Sequence, residues 1–150
     1  MQKTFYKEQI MTINEIQEEI VEEFSAFDEW MDKYSYLIEI GNDLEGFKDE
    51  WRLEQNLIEG CQSKVWVHAE LDGDKIIYSA DSDAIITKGI IALLIRVLSD
   101  KTPDEILNSE LSFVEEIGLK DHLSPTRSNG LLSMMKQMRL YAVAFKAKMG

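Results

Sequence analysis

One stretch limits the folds open to this chain more than any other. Ala84-Ile85-Ile86-Thr87-Lys88-Gly89-Ile90-Ile91-Ala92-Leu93-Leu94-Ile95-Arg96-Val97-Leu98 is apolar on nearly every side over a helical length. A surface helix keeps a polar face, so a helix that is apolar all round belongs in the middle of a core with other elements wrapped about it. The chain has the material for that wrapping: 150 residues, 45% of them hydrophobic, with three Trp, six Phe and five Tyr, enough for one domain with its own core. The longest uninterrupted apolar run, Gly89 to Ile95, falls far below membrane-spanning length, and no membrane partner is expected. The first residues lack a secretory hydrophobic segment, so a cytoplasmic location is expected.

The wrapping elements can be read in order. Residues 1–10 have no clear periodicity and are expected to be a flexible extension ahead of a domain over residues 11–150. Thr12-Ile13-Asn14-Glu15 is a capping-box sequence, after which Ile13, Ile16, Ile20, Val21 and Phe24 fall on one helical face, predicting a helix that ends near Ser25 to Asp28. Trp30, Met31, Tyr34, Leu37 and Ile38 predict a second helix, with Gly41 as its C-cap. Asn42 to Trp51 reads as an irregular linker carrying one helical turn, and Leu57-Ile58 as a short strand. Val65 to Leu71 and Ile76 to Ala80, either side of Asp72-Gly73, predict an antiparallel hairpin. Beyond the central helix, Thr102 and Pro103 open a short helix and Leu111 to Leu119 a further short piece. Ser124 as N-cap and Pro125 at the first helical position then start a helix to about Lys148, with Met134, Met135 and Met138 assigned to the core. The sum is an α+β fold: one domain, helices packed on a small antiparallel sheet, without repeats or low-complexity tracts.

Charge is unevenly spread. The formal net charge is −12, and Met11 to Glu59 alone carries 15 acids against three bases, whereas Pro125 to Gly150 has five bases and no acid. Opposite fields at the two ends can steer a charged protein partner, and the acidic excess argues against nucleic acid as the ligand. A solvated helix face is the simpler account of the N-terminal acids.

The chain has a single cysteine, Cys61, preceded by Gly60. One thiol cannot make an internal disulfide, nor supply the several thiolates of an iron–sulfur or structural zinc site, and it suits a reducing compartment. Gly60 allows a sharp turn that presents the next side chain at a loop tip. On spacing alone Cys61 is equally well a buried small hydrophobe. His68 in a strand and His122 in a loop are expected to be structural, and Asp81 and Asp83, ahead of the central helix, to cap its free amides and not to bind metal. No metal site and no cofactor are expected on this chain.

Three separated segments narrow the choice. Gly60-Cys61-Gln62-Ser63 with Val65-Trp66, then Ala80-Asp81-Ser82-Asp83-Ala84 running into Lys88-Gly89, then His122-Leu123-Ser124-Pro125-Thr126-Arg127-Ser128-Asn129-Gly130-Leu131, resemble the SufE family of sulfur acceptors in content, order and spacing. Tyr36-Leu37-Ile38-Glu39-Ile40-Gly41 resembles the family's second helix end, so the likeness runs from about Met11 to the C-terminus. Glu45 and Glu59 depart from it, standing where proline is frequent, which bears on loop stiffness and not on the thiol.

The resemblance implies a SufE/IscU-like fold and a role in which Cys61 accepts persulfide sulfur from a SufS-like cysteine desulfurase, stimulates it, and delivers the sulfur to iron–sulfur cluster assembly on SufBCD-like scaffold proteins. Pyridoxal phosphate is then expected on the desulfurase only. The chemistry agrees: a thiolate attacks the terminal sulfur of the donor persulfide, and one cysteine suffices. Arg127 and Lys64 are candidates to stabilise the sulfur anion, with Arg127 the better placed, and Asp83 and Lys64 are candidates for partner contact. The apolar neighbours Val65, Trp66, Gly130 and Leu131 are expected to line a pocket that shelters the sulfur, with Gly60 as the pivot of its loop. Two alternatives stay open: an allosteric desulfurase-binding module with a silent Cys61, and a stand-alone thiol enzyme.

Overall fold

The computed structural model describes residues 11–149. The expected extension over residues 1–10 lies outside them. Two helices, α1 (Ile13–Ser25) and α2 (Trp30–Asn42), are followed by single 3₁₀ turns at Asp49–Trp51 and Glu54–Asn56. Then come the strands β1 (Val65–Asp72) and β2 (Lys75–Ser82), the central helix α3 (Ile85–Leu98), three short helices, α4 (Pro103–Leu107), α5 (Phe113–Glu116) and α6 (Leu119–His122), and the long α7 (Pro125–Met149). The single piece expected over Leu111 to Leu119 is thus α5 and the start of α6, parted by Gly118 in the left-handed region at φ 76°.

α3 lies where its composition sends it. Ile90, Ile91, Leu93, Leu94, Val97 and Leu98 are buried, and α1, α2, β2 and α7 pack around them. Burying each such side chain contributes about 2 kcal/mol, so this one helix organises much of the core. Its contact with α2 is made backbone to backbone. A Cβ on Gly41 would lie 2.7 Å from the Gly89 nitrogen, and one on Gly89 would collide with the Leu37 carbonyl oxygen. Gly41 therefore does not end α2: the helix runs one residue past it to Asn42, with Asp43 as C-cap in ordinary helical conformation. The glycine pair is a crossing point, and the sequence pattern of a glycine after an apolar stretch fits either use.

The capping box at Thr12 forms as read, and the structure adds a second. Thr12 accepts from the Glu15 amide at 3.1 Å while Glu15 accepts from the Thr12 amide at 3.0 Å, and Thr102 and Glu105 repeat the arrangement at α4. Arg96 of α3 clamps α1 through Glu19 and Glu23, both at 2.5 Å, and Tyr36 of α2 donates to Glu23.

Among the described residues the sheet has two strands, antiparallel from Val65↔Ser82 to Asp72↔Lys75, and turns through Gly73 at φ 65°. Two strands alone are marginal, so helices must complete them. Val65, Val67, Ile76, Tyr78 and Ala80 point inward, and α7 is tied to the sheet by two phenols: Tyr78 donates to the Met138 carbonyl at 2.6 Å and Tyr141 to that of Val67 at 3.3 Å. Each outer edge is partly covered. Ile58 donates to Val65 O at 2.9 Å beside β1, and Ile76 donates to Lys101 O at 2.8 Å beside β2.

Candidate functional site

The loop that carries Cys61 is fixed at its base and open at its tip. The Leu57↔Trp66 bridge and the Ile58–Val65 hydrogen bond close its two ends against each other. A second tie runs to the turn ahead of α3, where the Lys64 amide donates to Asp83 Oδ1 at 3.0 Å and the Asp83 amide donates to Lys64 O at 3.2 Å. Gly60 has φ 91°, where a side chain is strained, and its missing Cβ leaves room for Ser133 of α7. The chain then turns Cys61 toward the first turns of α7.

There the thiol meets Gly130. Cys61 Sγ lies 3.6 Å from the Gly130 carbonyl oxygen and 3.3 Å from where a Gly130 Cβ would sit. A glycine inside a helix costs about 1 kcal/mol relative to alanine, and the close approach of the sulfur is what this one accommodates. Cys61 is half-buried, and burial pushes its thiol pKa up. Charge removal from water is unfavourable in such a place, so the resting sulfur is held as the thiol.

Beside the sulfur opens a cavity of about 310 Å³, lined by Cys61, Gln62, Ser63, Thr87, Ile90, Ser124, Thr126, Arg127, Gly130 and Met134. The expected apolar lining holds only at Gly130. Val65 and Leu131 are wholly buried in the core beneath and Trp66 lies under the Arg52 guanidinium, while Ile90, Met134, hydroxyl groups and one guanidinium border the space. The site residues read from the sequence separate accordingly: Cys61 and Arg127 share the cavity, Gly60 sets the turn, and the exposed side chains of Lys64 and Asp83 stand at the base of the loop. Thr87 was not singled out in the sequence. Its only signal there is that it is an uncharged polar residue inside the apolar run.

The aspartates do not cap α3. Its N-cap is Ala84, without a side-chain cap bond, and the Ala84 amide is satisfied by Ser82 Oγ at 3.2 Å. Asp83 is used on the loop. Asp81 holds Arg52 at 2.7 Å and Lys88 at 3.2 Å; burial pushes its pKa up, but Arg52, the Ser82 backbone and the Lys88 ammonium outweigh that and leave it lowered. Arg52 in turn lies over Trp66 and Phe47, bracing the segment that leads to the loop. Both histidines pack on tryptophan rings. His68 stacks on Trp51 at 4.1 Å, His122 stacks on Trp30 at 4.0 Å with Nδ1 2.9 Å from Gly118 O, and neither borders the cavity. Among the described residues no cluster of three His, Cys, Asp or Glu side chains could hold a metal, and no helix is long and apolar enough to cross a membrane.

Comparisons with known proteins agree with this geometry. Residues 18–142 match the family described as SufE, Fe-S metabolism associated domain. The chain is 38% identical over 127 residues to the uncharacterized SufE-like protein slr1419 of Synechocystis sp., covering 85% of this chain and 80% of that one. It is 39% identical over 132 residues to SufE-like protein 1, chloroplastic/mitochondrial, of Arabidopsis thaliana, covering 87% of this chain but only 36% of the plant protein, so it spans about a third of that relative's length. In fold it is similar to the solution structure of a hypothetical protein from Thermus thermophilus, with a TM-score of 0.71 at 21% identity over 86% of this chain and 94% of that one. Because the family match takes in the cysteine loop, the turn ahead of α3 and the start of α7, the three segments that meet around Cys61, the chain belongs to the SufE family, whose domain is associated with Fe-S metabolism.

Proposed function

We propose that this protein accepts sulfur on Cys61 from the persulfide of a cysteine desulfurase, stimulates that enzyme by removing its product, and passes the sulfur to an iron–sulfur scaffold. The observation that carries this reading is the position of Cys61: the chain's single thiol, on a loop anchored at its base, with its sulfur beside a cavity that could hold one more atom. In the transfer the Cys61 thiolate attacks the terminal sulfur of the donor persulfide. The donor's S–S bond breaks, the donor sulfur leaves as a thiolate, and Cys61 carries the persulfide. The reaction needs no cofactor on this chain; pyridoxal phosphate belongs to the donor enzyme.

The two tasks of a carrier set opposite demands on the loop. Storage favours the half-buried position, where burial keeps the thiol protonated and water and small thiols have poor access. Attack needs the thiolate in reach of the partner. A swing about Gly60 that takes Cys61 into solvent removes the desolvation and brings the thiol back to its ordinary acidity, so exposure and activation are one event. Arg127, on the cavity wall, offers the positive charge for the sulfur anion, while Lys64 and Asp83 at the base of the loop are the candidate contacts for the partner. A cytoplasmic location is part of the proposal; the Arabidopsis relative is described as chloroplastic/mitochondrial.

A stand-alone thiol enzyme fits less well, because such cysteines need a base and neither histidine borders the Cys61 cavity. The allosteric module is separated by experiment. Desulfurase turnover of cysteine is measured with wild type and with Cys61→Ser, a nearly isosteric change expected to leave unfolding within about 0.5 kcal/mol of wild type. Loss of stimulation in the folded variant supports the acceptor, and stimulation that survives it assigns the protein an allosteric role.

A further inference from the structure

Thr87 is the one lining residue of the Cys61 cavity whose polar group is buried on a rigid element. It sits in the first turn of α3 and is only 7% exposed. A helical threonine usually turns its hydroxyl onto a carbonyl three or four residues back. Here the Ala84 carbonyl accepts the Lys88 amide at 2.9 Å, and the Thr87 hydroxyl has no hydrogen-bond partner among the described residues. It is not a sealed orphan either. Among the described residues the fully enclosed side-chain atoms without a hydrogen bond are His68 Nε2 and Asp81 Oδ1, each facing a charged group, Glu70 and Lys88 respectively. Thr87 is one of the residues that line the cavity. The other polar wall groups differ: Ser124, Thr126 and Arg127 are exposed to water, Ser124 already accepts the Arg127 amide at 3.3 Å, and Ser63 belongs to the loop itself.

We propose that the Thr87 hydroxyl is the hydrogen-bond donor to the outer sulfur of a Cys61 persulfide, held in this cavity as the anion. The proposal rests on the sulfur-acceptor reading and adds to it the group that receives the sulfur. The balance is simple. As the Cys61 thiolate attacks, a new Sγ–S bond forms, the donor's S–S bond breaks with its electron pair leaving on the donor thiolate, and the proton on the transferred sulfur is given to solvent. No net oxidation occurs. The charge then resides on the outer sulfur, where a hydrogen bond to an ionised acceptor is stronger than one between neutral groups. It also protects the cargo, because the neutral persulfide is the electrophile that thiols attack and the anion is not.

The test uses the full chain with Cys61 loaded by inorganic polysulfide, which needs no desulfurase. Loss of the added sulfur to dithiothreitol is followed by intact mass across pH for wild type, Thr87→Val and Thr87→Ser. Thr87→Val, matched in shape, is expected to lose sulfur about tenfold faster at neutral pH, with the pH profile of loss moved up by about one unit, as removal of one hydrogen bond to a charged group predicts. Thr87→Ser is expected to behave as wild type. Loss from Thr87→Val at the wild-type rate, or Thr87→Ser as fast as Thr87→Val, overturns the assignment. A parallel loading with desulfurase and cysteine keeps the two readings apart: wild type that takes sulfur from polysulfide but not from the enzyme contradicts the acceptor role, while Thr87 is still judged by the polysulfide arm.

Discussion

Cys61 combines two properties that rarely suit a nucleophile, partial burial and a raised pKa. Most reactive cysteines are exposed and acidic, so this thiol is expected to be slow toward small reagents in the free protein. We predict that its alkylation by iodoacetamide rises with pH past the ordinary cysteine range without levelling there, since thiolate appears only above the raised pKa. Gly130→Ala should speed the same reaction, because the added Cβ, 3.3 Å from the sulfur, displaces the loop outward. A pH profile that levels at or below the ordinary value, or a Gly130→Ala rate equal to wild type, would count against a sheltered thiol. The sequence singles out Cys61, Gly60 and Arg127, each by a marker of type or position, and the fold sets Cys61 and Arg127 on one cavity. It does not identify the use of Asp83: an Asp ahead of a helix reads as a cap, and only the fold shows that the loop's Lys64 amide has taken its carboxylate. Thr87 was hidden for the opposite reason, as a single hydroxyl inside a run whose hydrophobicity dominates any pattern.

Between elements, the pairing of α2 with α3 depends on Gly41 and Gly89. Alanine at an ordinary helix site gains about 1 kcal/mol over glycine, but a Cβ at Gly89 meets the Leu37 backbone, which cannot rotate away. The crossing must open, and the expected outcome for Gly89→Ala is a net loss of about 2 kcal/mol or more, read as a lower urea midpoint with an unchanged slope. A midpoint equal to or above wild type contradicts the packing described. The α1–α3 clamp gives a pH test. Hydrogen bonding to Arg96, ahead of the opposing effect of burial, holds the Glu23 carboxyl below its usual pKa. Its stabilisation is therefore complete above the unfolded-state value, about 4.3, and is lost as pH falls through the lower folded value. Glu23→Gln should flatten the acid limb of the stability curve by up to about 1 kcal/mol, a small amount because the pair is partly solvated. The central helix, the Thr12 capping box and the hairpin could be read from periodicity and turn residues. The role of Gly41 could not, because close approach by a distant helix leaves no local mark.

Across the whole molecule, charge and chemistry are arranged on different elements. The acids of α1, α2 and the following linker make those elements strongly negative, while α7, which carries Arg127 at its start by the Cys61 cavity, is basic. A partner guided by such fields binds more slowly as salt screens them, so stimulation of the desulfurase should fall between low and high ionic strength through the association rate. The central claim, that Cys61 is the sulfur acceptor, is tested most directly by intact mass after incubation with a cysteine desulfurase and cysteine, followed by peptide mapping. The account predicts a gain of at least one sulfur atom, located on Cys61, removed by reductant and absent from Cys61→Ser. An unchanged mass in wild type while the desulfurase turns over cysteine would contradict it.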